Sequence, residues 1–362
     1  LLSAPPARSV PLYDFRPVTA EMQRFVTDLG VPGASLRVNK QGIVVYRQPF
    51  GSYTLDTRIR IASATKWLSA LVIARLVERG ALRWDSTVGE YFPTAPAATH
   101  AMTLEQLFSH TSGLPADEDS CLSNPLFTLA TCAERILTRP LIGTPGTVFG
   151  YGGNSMQVAG RMAELATGRA WDDLFIDEVV NPLGLVATDY TAGSSTPGYV
   201  RNRNPRIGGG VRSTLDDYGR VVDMVLARGR VGEVQYLLPA TLDEMARDRT
   251  SGTGDVSRPP TSTGQGYGIG QWLQPIGSGL PPVLSSPGAF GFTPYVDRAN
   301  GIAGVFLVDD LNQRVVDDIT DIREMVRVVT STTRRARPVL PPNPAAPTTP
   351  KATPRARLNS TG

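Results

Sequence analysis

At 362 residues, 41% hydrophobic and 19% charged, the chain has the make-up of a globular protein large enough for two cores, or for one core with a big insertion. Its 36 basic residues exceed its 33 acidic ones by three, and nearly all are arginines scattered singly, which argues against a nucleic-acid patch. No uncharged apolar run reaches the roughly 18 residues a membrane span needs. The longest candidate, Trp67 to Val77, is interrupted by Arg75.

Residues 1–14 read as an N-terminal extension. The chain opens at Leu1 without Met, with a loose Leu-Leu-Ser-Ala-Pro-Pro, as expected after removal of a targeting segment or in a chain otherwise trimmed at this end. Residues 33–52 read as a β-hairpin, two apolar runs around Asn39-Lys40-Gln41-Gly42. From Thr65 the apolar positions Trp67, Leu68, Leu71, Val72, Ala74 and Leu76 have a helical period, apolar nearly all round, and stop before Gly80, a C′ residue. A buried helix is the expectation. The middle third then alternates helices at Leu104–Phe108, Asn154–Thr167, Trp171–Val180, Leu215–Ala227 and Ala240–Ala246 with loops rich in Gly, Pro, Thr and Ser. Strand character returns in Tyr267–Leu273, Gly291–Val296 and Gly301–Val308, followed by a last helix near Asp317–Thr330.

Strands at both ends with helices between them predict an α/β part and an all-α part: an antiparallel sheet built from both termini, with a helical domain inserted in it. Residues 15–62 and 265–335 are assigned to the sheet domain and 63–264 to the mostly helical one, while the Pro, Ala, Thr and Arg of 336–362 read as a disordered tail. Cys121 and Cys132 bracket a short, turn-rich stretch that suits one local disulfide in an oxidising compartment, two reduced buried thiols being the alternative.

The chemistry starts from the lysines. Of Lys40, Lys66 and Lys351, only Lys66 stands three residues after a serine, in Ser63-Ala64-Thr65-Lys66. At a helix start that spacing puts hydroxyl and ammonium on one face, about 5 to 6 Å apart at Cβ. The helix amino end adds unpaired N–H groups and partial positive charge that favour an oxyanion. The chain has two histidines, His100 and His110, and no G-x-S-x-G elbow, so a Ser-His-Asp hydrolase is disfavoured. The candidate bases are Lys66 itself and Tyr151, which sits in the glycine loop Phe149-Gly150-Tyr151-Gly152-Gly153-Asn154. A phenol, ordinarily near pKa 10, serves as a base only beside a cation, and Lys66 could supply one. Blander readings stand beside these. Ser63 could be a helix cap and Lys66 a snorkelling lysine. His110 reads as part of a structural turn whose hydroxyls and imidazole satisfy backbone groups at a helix end. Gly208–Gly210 reads as a turn into a helix capped by Ser213 or Thr214, and Trp272 as cleft wall or sheet core.

Ser63-x-x-Lys66, Leu107-Phe108-Ser109-His110-Thr111-Ser112-Gly113-Leu114, Tyr151 in its glycine loop, Gly208–Thr214 and Ser286-Pro287-Gly288-Ala289-Phe290-Gly291 occur in a familiar order. Over residues 15 to 330 the chain resembles the serine β-lactamase and penicillin-binding-protein superfamily, and within it the class C-like branch of β-lactamases, DD-peptidases, D-aminopeptidases and carboxylesterases. The resemblance implies a β-lactamase-like fold, with Ser63 as nucleophile, Lys66 as the activating cation and Tyr151 as general base and acid. The oxyanion would lie between the backbone N–H groups of Ser63 and Ala289, with no metal and no cofactor.

Gly153, Asn154, Ser286 and Gly288 fall at the substrate-binding motifs, with two departures. The family's Tyr-x-Asn becomes Tyr151-Gly152-Gly153, with Asn154 one place late, and its Lys or His, Thr or Ser, Gly becomes Ser286-Pro287-Gly288. The losses weigh against recognition of a β-lactam or of D-Ala-D-Ala more than against acyl transfer. The expectation is therefore an exported carboxylic-ester hydrolase working through an acyl-enzyme on a small-molecule or short-peptide acyl substrate. A D-amino-acid peptidase or β-lactamase is the first alternative, and a non-catalytic binder that keeps the cleft is the second.

Overall fold

A computed structural model describes residues 13–117, 119–190 and 202–332, so most of the N-terminal extension and the whole tail lie outside the described residues. Helix α1 (Arg16–Leu29) has Pro17 in its first turn, buries Val18, Met22 and Phe25, and ends at Gly30 in the left-handed region at φ +63°. That i, i+4, i+7 stripe needs an apolar partner. It finds one on the sheet that follows, which begins with the hairpin β1 (Gly33–Lys40) and β2 (Ile43–Gly51). Gln41 and Gly42 turn the hairpin at φ +52° and +88°, and Asn39 Oδ1 accepts the Gly42 N–H at 2.8 Å.

Helix α2 (Thr65–Glu78) buries eleven of its fourteen residues, as its all-round apolar sequence demands, and is the axis of the larger core. Around it lie α3 (Leu104–Phe108), α4 (Leu129–Leu137), α5 (Asn154–Thr167) and α6 (Leu215–Leu226). The expected helix over Trp171–Val180 is α-helical to Phe175 and then widens into a π-turn, and that over 240–246 runs from Pro239 to Met245.

Five strands complete the sheet: β3 (Gly266–Tyr267), β4 (Trp272–Gln274), β5 (Val283–Ser285), β6 (Thr293–Asp297) and β7 (Ile302–Leu307). The order is β2-β1-β7-β6-β5-β4-β3 with every neighbour antiparallel, so the first strand meets the last, with Ser35 opposite Leu307 and Lys40 opposite Ile302. Helix α7 (Asn312–Ser331) covers the outer face beside α1 with Val315, Ile319, Ile322 and Val326. Helix α6 covers the inner face, where Arg37 of β1 donates to Asp223 across the absent side chain of Gly219, whose Cβ would lie 2.7 Å from Arg37 Cδ. Among the described residues no helix is long and apolar enough to cross a membrane.

Five features differ from the sequence reading. The run Tyr267–Leu273 is two strands folded against each other, with Tyr267 opposite Trp272. Gly270, at φ +71°, turns the chain where an added Cβ would stand 2.6 Å from the Lys66 carbonyl oxygen. Backbone pressed onto α2 forbids a continuous strand there. Helices α1 and α4 and strand β5 were not anticipated, and α7 begins five residues earlier than expected, at Asn312.

Candidate active site

The chain reaches Ser63 through a strained corner. Ile61 N–H bonds the Val211 carbonyl at 3.0 Å, Ala62 takes φ +43°, and a 3₁₀ turn over Ala62–Ala64 feeds α2. A non-glycine residue held in the left-handed region costs about 1 to 3 kcal/mol, and neighbours must enforce it. They do so on several sides. Tyr218 Oη donates to Ala64 O at 2.7 Å, Thr65 Oγ1 accepts Val211 N–H at 3.1 Å, and Ser286 Oγ donates to Ser63 O at 3.1 Å. Gly288 lies so close that an added Cβ would be 2.3 Å from Ile61 O.

Lys66 is 3% exposed, a position where an ammonium must find partners. Its Nζ donates to Ser63 Oγ at 3.1 Å and to Gly208 O at 2.8 Å, and lies 4.7 Å from the centroid of the Tyr151 ring. Gly208, read from the sequence as part of a turn, thus also supplies a carbonyl that the ammonium bonds. Gly209 and Gly210 N–H both bond Arg206 O to form that turn, and Thr214 caps α6 by accepting Asp217 N–H.

Tyr151 leaves a short strand, Val148–Gly150, which pairs in parallel with Gly254–Ser257, and its N–H bonds Ser257 O at 2.9 Å. Its ring sits among Trp272 at 5.1 Å, His110 at 4.6 Å and Tyr267 at 5.8 Å between centroids. His110 departs from the expected turn role. Its carbonyl does receive Gly150 N–H, but its imidazole packs beneath Tyr151, with Nδ1 3.3 Å from Ser155 Oγ and Nε2 buried without a partner among the described residues. Ser109 and Thr111 hydroxyls bond each other rather than the helix end. Burial first, then the charge of Lys66, push the imidazole well below its ordinary value, so it is neutral at pH 7.

A cavity of about 320 Å³ opens over these groups, lined by Ser63, Tyr151, Trp272, Gly288, Ala289 and Asn312 among others. Trp272 is thus both cleft wall and sheet residue. Of the residues expected to touch substrate, Gly288 lines the cavity, whereas Gly153, Asn154 and Ser286 do not. Asn154 is buried, its amide donating to Pro115 O and Asp117 O at 3.0 and 2.9 Å and its Oδ1 accepting Asp119 N–H, so it fastens the 115–119 loop. The Ser286 hydroxyl is turned onto the Ser63 carbonyl. Asn312 was missed because only the position of α7 brings it to the cleft. Farther along, Cys121 and Cys132 form a disulfide with Cα atoms 5.4 Å apart, tying the loop after residue 119 to α4.

Hydroxyl, ammonium and phenol at the amino end of a buried helix, opening on a cavity with an apolar wall, can carry out nucleophilic acyl transfer. Comparison with known proteins agrees in kind. The chain is 28% identical over 285 residues to penicillin-binding protein 4 of Amycolatopsis lactamdurans, covering 68% of this chain and 73% of that protein. It is 26% identical over 345 residues to esterase EstB of Burkholderia gladioli, covering 76% and 86%. The crystal structure of a candidate β-lactamase from Bacteroides dorei superposes with a TM-score of 0.77 at 29% identity, covering 89% of this chain and all of the other. The family profile described as Beta-lactamase matches residues 18–327. With the serine β-lactamase fold and that match over most of its length, the chain belongs to the β-lactamase family of serine hydrolases.

Proposed function

We propose that the protein hydrolyses uncharged carboxylic esters through an acyl-enzyme on Ser63. The observation that carries this reading is the buried Lys66 ammonium, shared between Ser63 Oγ, Gly208 O and the Tyr151 ring. Ser63 Oγ attacks the ester carbonyl while its proton passes to the Tyr151–Lys66 pair. The tetrahedral oxyanion is received by the backbone N–H groups of Ser63 and Ala289. Collapse breaks the acyl–oxygen bond, Tyr151 returns the proton to the leaving alcohol, and water repeats the sequence on the acyl-enzyme to release the acid.

Esters are favoured because the third motif brings no cation or imidazole to the cleft, its serine hydroxyl being committed to Ser63 O. The likeness to an esterase over three quarters of the chain supports the same class. The disulfide between Cys121 and Cys132 supports an exported protein.

The test is covalent labelling with a fluorophosphonate, read by intact mass and peptide mapping. One label on Ser63, absent from Ser63→Ala together with p-nitrophenyl ester turnover, is the expected result. A label on another serine, or ester turnover with none, overturns the assignment.

A further inference from the structure

A second cavity, of about 270 Å³, lies on the other side of Pro287 and shares Pro260, Thr261, Gln265, Pro287 and Asn312 with the first. It sits between the end of β5 and the first half of α7, on the face of the sheet opposite α2. At its far end is Arg323, half-buried and stacked 4.6 Å from the Tyr295 ring centroid. The guanidinium has five N–H donors. Nη2 donates to Gln274 Oε1 at 3.1 Å, and among the described residues Nε is buried without a partner. No carboxylate within the described residues pairs with it. Asp297 nearby is held by Asn300 N–H and Nδ2, and Asp317 stands exposed on the rim. Closer to the first cavity, Asn312 Oδ1 is also buried without a partner among the described residues, while its amide reaches Thr261 Oγ1 at 3.4 Å.

A half-buried guanidinium that feels Asp297 only at a distance, that carboxylate being hydrogen-bonded by Asn300 instead, keeps N–H donors that an arriving anion would satisfy. This one ends a chamber that shares a wall with the catalytic cavity. We propose that the cleft continues past Pro287 and Asn312 into this chamber, and that Arg323 receives a carboxylate at the far end of an extended acyl substrate. The inference rests on the ester reading and adds the substrate's other end. Charge beside the scissile bond finds no partner at Ser286, whereas charge several bonds away meets Arg323. Arg323 is then a specificity-determining residue that touches substrate but not the reacting atoms.

Two substrate series test it: p-nitrophenyl monoesters of dicarboxylic acids of rising length, and butyrate esters of ω-hydroxy acids, each against the neutral compound of equal length. In one series, once the chain is long enough, the carboxylate should raise kcat/KM about ten- to a hundredfold, the range of a charge-assisted contact. Arg323→Met should remove that preference and leave the neutral esters unchanged, and Arg323→Lys should keep part of it. Calorimetric binding of free adipate, weakened at least tenfold by Arg323→Met, reads the same contact without turnover. It therefore separates a failure of this inference from a failure of the ester reading, which the loss of neutral-ester turnover in Ser63→Ala checks. No preference in either series, a preference that survives in Arg323→Met, or an equal loss for charged and neutral esters overturns the proposal. Activation of neutral-ester turnover by free adipate, in place of competition, would make the chamber an effector site and overturn it too.

Discussion

The two walls of the cleft differ in how firmly their polar groups are committed. On the α2 wall, Ser63, Lys66 and Tyr151 form one cluster around a nearly buried ammonium, backed by Gly208 O below and by His110, Tyr267 and Trp272 behind. On the β5 wall, Ser286-Pro287-Gly288 brings no charge, and its one hydroxyl holds the backbone of Ser63. On the proposed reading, the first wall moves protons and the second mainly fixes the position of the first. On that reading, such a division would keep acyl transfer while changing which substrates are received, since binding contacts and reacting groups lie on separate elements.

The largest effects should therefore come from the α2 wall. Lys66→Ala and Tyr151→Phe are each expected to lower kcat by about 10² to 10⁴, with the double variant little worse than the worse single one, because the two act as a unit. Steady-state kinetics beside circular dichroism checks this. Full activity in Tyr151→Phe would move the proton to Lys66 alone and break the cluster into two independent groups.

The disulfide ties down the loop that flanks that wall. Replacing both cysteines by serine should cost on the order of 3 kcal/mol in the chain-entropy account, measured by chemical denaturation. Hydrogen exchange should rise first in residues 119–137. Unchanged stability would mean the loop is held by Asn154 and Asn204 without the bond.

The β5 wall is probed by substrate choice. Short neutral esters should be turned over with higher kcat/KM than benzylpenicillin or D-Ala-D-Ala peptides, whose carboxylates lie close to the scissile bond. Ser286→Lys should help those anionic substrates selectively, by about one to two powers of ten. Efficient penicillin turnover by the natural protein would show that a cation other than the third-motif one serves the near site.

The smallest effect is a pH dependence of stability. His110 is neutral in the folded chain because burial, then Lys66, hold its pKa well below the ordinary value, whereas in the unfolded chain it titrates near 6.5. Below about pH 6.5 the unfolded state binds a proton that the folded state refuses. Stability should fall as pH falls, by up to about 1.4 kcal/mol per pH unit from this group. His110→Gln should flatten that part of the slope in denaturation measured from pH 7 to 5. Equal slopes in the two proteins would mean that the imidazole is not held neutral by burial under Tyr151.

Most of the α2 wall is legible in the sequence, for a physical reason. Ser63 and Lys66 are three residues apart, and helical geometry alone puts them on one face. The β1–β2 turn, the Gly80 stop and the apolar seam of α2 are local in the same sense. Helix α1 is equally local, with Val18, Met22 and Phe25 between Pro17 and Gly30, but two turns of stripe ahead of a hairpin are too short a pattern to stand out from the sheet region.

What the tertiary structure decided is set by contacts far apart in the chain. The Lys66 to Gly208 bond spans 142 residues and the Ser286 to Ser63 bond 223, distances over which no periodicity carries information. The break in Tyr267–Leu273 follows from backbone pressed on α2 at Gly270, and the inward turn of Asn154 from the loop it fastens. The chamber at Arg323 exists only because α7 crosses the end of β5. Residue types and local spacing determined which chemistry is present on the chain, and packing between distant segments decided which groups face the substrate and which are spent holding the others in place.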